Sequence, residues 1–178
     1  EIMELLSYES LIQRLKELDE EASLRFVSAD RLSLIIVGGS ALILMEYISR
    51  ATHDIDAMEA SQQLQDLLQD YDINMNVQTY TDNFPYNYLD RVEPLPIKGK
   101  IIDFYTASLE DIVIAKLHSY RDKDFEDVCS PQVLEALDWE KLHFIATSDD
   151  EAKASSMNEF RHGEFLSRFQ EYEERYRP

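Results

Sequence analysis

The chain has 178 residues, enough for one domain or one domain with a helical extension, and 44% apolar content supports a real core. Its 36 acidic residues against 17 basic ones give a net charge of −19, which argues against bulk electrostatic binding of nucleic acid; Lys98, Lys100, Arg121 and Lys123 come nearest to a basic patch. One cysteine, Cys129, excludes an internal disulfide, no apolar run approaches a membrane span and no signal peptide is visible, so a cytoplasmic protein is expected.

In chain order, Ser7 to Ala22 reads as a helix: Leu11, Leu15 and Leu18 recur at helical spacing, and Ser7 or Ser10 can cap it. The β-branched run Leu32 to Val37 predicts a buried strand. Gly38-Gly39-Ser40 follows, then a helix over Ala41 to Arg50. Asp54 to Met58 predicts a second strand, with Ile55 facing the core and Asp54 and Asp56 facing out. Ser61 to Asp70 predicts a helix, Asn76 to Tyr80 a short strand and Thr81 to Asn87 a loop. Tyr88 to Leu95 and Lys100 to Tyr105 predict two strands joined around Gly99. Pro94 and Pro96 indicate that the first of them is an edge or ends early.

From Ser108 onward the pattern is helical. Ser108-Leu109-Glu110-Asp111 is a helix entry, and that helix is expected to reach Tyr120. Helices are expected at Asp124 to Val128, Pro131 to Leu137, Asp138 to Ala146, Asp150 to Met157 and Glu159 to Arg175. The last carries Phe160, Phe165, Leu166 and Phe169 on one side. The order predicts an α+β fold. Its mixed-sheet core spans residues 1–107, and a helical C-terminal part, 108–178, packs on that core.

Two carboxylates one residue apart in a strand share a face and repel unless a cation lies between them. Mg²⁺ prefers such a pair together with phosphate oxygens. Asp54 and Asp56 are thus the first candidates, against the alternative of a strand end facing water. Gly38, Gly39 and Ser40 can hold phosphates, Gly by close backbone approach and Ser through its hydroxyl; the alternative is a plain turn with Ser40 as a helix cap. Asp103 lies in the apolar strand Ile101 to Tyr105. It is either a partner in the same metal site or a solvated residue on an outer face. Lys116, on an otherwise apolar helix, either reaches a triphosphate or sits in solvent. Arg121, Lys123, Asp124 and Asp127 either support the site, with the acids bonding back to Lys116 or Arg121, or form a solvated helix start. His53, His118, His143 and His162 show no metal-ligand spacing.

Taken together, strand–Gly-Gly-Ser–helix–Thr-x-Asp-Ile-Asp–strand resembles the nucleotidyltransferase superfamily, the fold of polymerase β. Over Leu34 to Val128 the chain looks most like the AbiEii-type toxin nucleotidyltransferases and related bacterial proteins. Their motifs fall here on Gly39-Ser40, Asp54-x-Asp56, Lys116, and Lys123-Asp124 with Asp127. The resemblance implies that Asp54, Asp56 and Asp103 bind Mg²⁺ or Mn²⁺. It implies that Ser40 and Lys116 hold a nucleoside triphosphate, and that Asp103 helps activate an acceptor hydroxyl. The acceptor would be tRNA, a protein or a small molecule, and the chain could serve as a toxin–antitoxin or phage-defence component. Its acidity sits poorly with tRNA and favours the other acceptors, or a basic cognate partner protein. The competing reading is a catalytically silent nucleotide-binding or protein-interaction module.

Overall fold

Ser7 caps the first helix, its hydroxyl accepting from the Ser10 N–H at 3.3 Å. The computed structural model describes residues 5–27, 30–75, 83–148, 152 and 159–178. Two compact units emerge: residues 1–77 with 92–107, and residues 78–91 with 108–178. The predicted strand Asn76 to Tyr80, the start of the loop after it and, apart from Ala152, the predicted helix Asp150 to Met157 lie outside the described residues.

The first unit holds α1 (Tyr8–Arg25), β1 (Leu32–Val37), α2 (Gly38–Leu44), β2 (Ile55–Ala60), α3 (Gln62–Leu68), β3 (Ile73–Asn74), β4 (Glu93–Lys98) and β5 (Ile102–Thr106). Its five strands form one mixed sheet in the order β3-β2-β1-β5-β4. β1 runs antiparallel to β2 and parallel to β5. β4 is an edge strand, where its two prolines lose no ladder bond from a central position. Leu11, Leu15 and Leu18 of α1 and Leu34, Ile36, Ile55, Ala57 and Ile102 of the sheet are fully buried, so one sheet face carries the core.

α2 differs from the expected Ala41 to Arg50. It begins at Gly38, with Val37 as its N-cap, and stops at Leu44. Glu46 takes a positive φ of 62° and breaks the helix although apolar residues continue beyond it. The hairpin between β4 and β5 is fixed by Asp19 of α1, which accepts the N–H groups of Lys100, Ile101 and Ile102 at 2.7, 3.0 and 2.9 Å. A Cβ on Gly99 would stand 2.9 Å from that carboxylate and 2.3 Å from the Ile102 carbonyl oxygen, so glycine is required there for space.

The second unit is helical: α4 (Leu109–Leu117), α5 (Asp122–Val128), α6 (Pro131–Ala136), α7 (Trp139–Thr147) and α8 (Glu159–Tyr176). Residues Tyr88–Arg91, expected as strand, form a 3₁₀ turn of this unit. The cause lies twenty residues away. Arg91 makes a two-pronged bond to Asp111 at 2.9 and 2.8 Å, and Asp111 also accepts the Ser108 hydroxyl at 2.6 Å. On α8 the buried stripe is His162, Phe165, Phe169 and Tyr172. Phe160, expected on that side, falls off the stripe and is 75% exposed. No helix among the described residues is long and apolar enough to cross a membrane.

Candidate functional site

β1 ends at Val37, and the chain turns into α2 through Gly38, whose φ of +71° is a left-handed conformation that suits glycine. Val37 pairs across the sheet with Asp56, which brings the Asp56 carboxylate onto the turn: a Cβ on Gly38 would lie 3.4 Å from Asp56 Oδ2. Asp56 is half-buried, and Asp54, just before β2, is exposed. Within β2, Asp56 alternates with the buried Ile55 and Ala57 and so faces away from them. Ser40 is buried, and its hydroxyl donates to the Val37 carbonyl at 3.1 Å. It is therefore neither a helix cap nor a hydroxyl turned outward; it secures the turn from inside.

The segment leading to Asp54 is anchored at Thr52. Leu6 and Thr52 exchange backbone hydrogen bonds of 2.6 and 3.0 Å, and the buried Thr52 hydroxyl donates to the Asp54 carbonyl at 3.4 Å. Two residues earlier stands Arg50, which the sequence did not single out. A Cβ on Gly39 would come within 2.5 Å of an Arg50 guanidinium nitrogen. Gly39 thus leaves room for an arginine.

Asp103 does not join Asp54 and Asp56. It faces outward, but β5 runs parallel to β1 with Asp103 opposite Ser33, whereas Asp56 lies opposite Val37. Four residues of strand put the two carboxylates at levels about 13 Å apart. Asp103 is occupied as well: the Arg31 guanidinium contacts it at 2.9 and 2.8 Å and also donates to the carbonyls of Gly99 and Lys100. Among the described residues no three His, Cys, Asp or Glu side chains come close enough to hold one metal ion.

Within the helical unit, Lys116 is 7% exposed. Its ammonium lies 2.8 Å from Asp124 and 2.9 Å from Asp127, one turn apart on α5. Arg121 and the Ser119 hydroxyl also bond Asp124. Burial would push the Asp124 carboxyl up, but the bonds from Arg121, the charge and bond of Lys116 and the Ser119 hydroxyl hold it well below the usual carboxylate range. Of the two fates expected for these acids, bonding back to Lys116 is the one observed. The ammonium expected at a triphosphate is here the centre of a buried ion cluster. Lys123 is exposed on α5.

A strand, a Gly-Gly turn and two carboxylates at one end of a sheet can hold a cation and a phosphate chain together. Residues 13–177 match the sequence profile of a family described as "Nucleotidyltransferase of unknown function (DUF6036)". The chain belongs to that family. No curated protein and no solved structure matches it. The description agrees with the superfamily inferred from the motifs, and the mixed sheet with its flanking helices agrees with the expected α+β class.

In this member of the family, the carboxylates at the turn are Asp54, open to solvent, and Asp56, set against a glycine. That set fits Mg²⁺, which takes one or two protein carboxylates and completes its shell with water and phosphate. Two groups escaped the sequence reading. Arg50 carries no local pattern beyond its place four residues before Asp54. The Arg91–Asp111–Ser108 network joins residues too distant for any periodicity to link, although a helix entry with Asp at its third position was visible.

Proposed function

We propose that the protein transfers a nucleoside monophosphate from a nucleoside triphosphate to an acceptor, with Asp54 and Asp56 as the metal-binding carboxylates. The observation that carries this reading is the seat of Asp56 on Gly38, at the Gly-Gly turn of a chain in a nucleotidyltransferase family. Mg²⁺, or Mn²⁺ in its place, would polarise the α-phosphate and stabilise the departing oxygen. In the transfer the acceptor oxygen bonds the α-phosphorus, the bond from that phosphorus to the bridging oxygen breaks, and pyrophosphate leaves. The acceptor's proton is lost to solvent, because Asp103 stands at the other end of its strand, paired with Arg31. Gly38 and Gly39 position the turn. The net charge of −19 favours a small-molecule or protein acceptor over tRNA and is suited to a basic cognate partner. A role as the toxin of an AbiEii-like pair, in the cytoplasm, is part of the same proposal and rests on motif resemblance.

The test supplies each labelled triphosphate with Mg²⁺ to the purified protein, with and without cell extract, beside an Asp54→Ala/Asp56→Ala variant. Label moving to RNA, protein or a small molecule with the intact protein alone supports the transferase and names the acceptor. Equal labelling by the folded variant overturns it.

One observation favours a second reading, a nucleotide-binding module without turnover: the third carboxylate that the superfamily pattern implies is engaged elsewhere by Arg31. Metal-dependent binding of one triphosphate, with no pyrophosphate released in any extract, is the result that reading requires.

A further inference from the structure

We infer that Arg50 is the side chain that grips the phosphates of the nucleotide at the Gly-Gly turn; the inference rests on the nucleotide-binding reading above. Its guanidinium occupies the space that a side chain on Gly39 would take, while the Asp56 carboxylate lies beside Gly38, 3.4 Å from where a Cβ would stand. Opposite charges therefore lie on adjacent glycines. The carboxylate suits a metal ion, and the guanidinium suits the oxygens that such an ion brings with it.

Arg50 is held rather than dangling. It is half-buried, one of its terminal nitrogens donates to the Ala51 carbonyl at 3.1 Å, and the backbone two residues on is fixed by the Leu6–Thr52 bonds. A planar guanidinium held in place offers parallel N–H groups to two phosphate oxygens, which a flexible ammonium does not. The other arginines of this unit are placed elsewhere. Arg31 is tied to Asp103 and to the Gly99 and Lys100 carbonyls, Arg14 lies near Asp72 and the Tyr71 carbonyl, and Arg25 pairs with Glu21. Lys116, the cation expected from the motif, is enclosed by Asp124 and Asp127.

The probe is Mg²⁺–tripolyphosphate, which needs no knowledge of the base, with binding read by calorimetry and folding read by thermal melting. Arg50→Gln is expected to weaken binding by about tenfold or more, and Arg50→Lys by a smaller factor, because the charge remains and the fork is lost. Gly39→Ala is the independent arm. Its Cβ forces the guanidinium aside, so it should weaken binding about as much as Arg50→Gln while leaving Arg50 in the chain. Wild-type affinity in folded Arg50→Gln and in Gly39→Ala overturns the inference and leaves the nucleotide-binding reading standing. If Arg50→Gln fails to fold, Arg50→Lys and Gly39→Ala decide, and unchanged affinity in both overturns it. Wild-type protein that binds neither tripolyphosphate nor any of the common ribonucleoside triphosphates overturns both.

Discussion

Lys116 Nζ lies 2.9 Å from Asp127 Oδ2, with both side chains at most 6% exposed. Lys116 keeps Asp124 at 2.8 Å when Asp127 is removed, so that change costs one of two charge-assisted bonds and leaves the ammonium paired. Asp127→Ala should therefore lower unfolding stability by about 2 kcal/mol, seen as a lower urea midpoint. Lys116→Met should lower stability comparably and reduce nucleotide transfer only as far as it reduces the folded fraction. A Lys116→Met protein of normal stability that no longer binds triphosphate would return this lysine to the phosphates.

The carboxylates divide by position. Asp54→Asn and Asp56→Asn should each cut nucleotide transfer by about a hundredfold or more, measured on folded protein, since each removes charge from the cation seat. Asp103→Asn should leave the rate within about twofold, because its partner is Arg31 and its level on the sheet is that of Ser33. A loss with Asp103→Asn as large as that with Asp56→Asn would mean that the sheet register does not separate their roles.

Acid should weaken the helical unit through His118. The ring is buried, stacks on Phe165 with centroids 4.2 Å apart, and its Nε2 has no hydrogen-bond partner among the described residues. Burial first, then the charges of Arg161, Arg168 and His162, lower its pKa from 6.5 to about 3. Above pH 6.5 the ring is neutral in both folded and unfolded chains and costs nothing. As pH falls from 6.5 towards 3 the unfolded chain takes up a proton that the folded one refuses, so stability drops by about 1.4 kcal/mol per pH unit. Asp124, whose pKa is depressed instead, loses its contribution only as pH falls below the ordinary carboxylate range. Urea midpoints between pH 5 and pH 6.5 therefore isolate the histidine. His118→Phe, which keeps a ring against Phe165, should flatten the slope; an unchanged slope would assign the acid sensitivity elsewhere.

Asp19 is a test of the hairpin. Asp19→Ala leaves three backbone N–H groups without their acceptor and should destabilise the protein by about 3 kcal/mol, checked by urea unfolding. Asp19→Asn keeps one acceptor oxygen and should cost less. Equal stability of the three proteins would show that water replaces the carboxylate freely.

What could be read from the chain was local. The run Leu32–Val37 has the bounds that its β-branched residues suggested, and Pro94 and Pro96 marked the edge strand. Alternation left Asp103 open between the metal site and an outer face. It could not tell the level at which Asp103 sits, because that depends on the pairing of β1 with β5 across some seventy residues of chain. The same blindness turned Tyr88–Arg91 into an expected strand, since the pull on Arg91 comes from Asp111. Gly39 was read as room for a phosphate, and only three dimensions show an arginine in that space.

The bridge between Leu6 and Thr52 has a practical reach. The loop that delivers Arg50 and Asp54 is stapled to backbone that precedes the first helix. Leu6→Pro, which removes the N–H that bonds the Thr52 carbonyl, releases that staple and slackens the loop from a distance in sequence. The segment before α1 is therefore a tuning screw for the Gly-Gly turn, and proteins that differ only at Leu6 should differ in phosphate affinity.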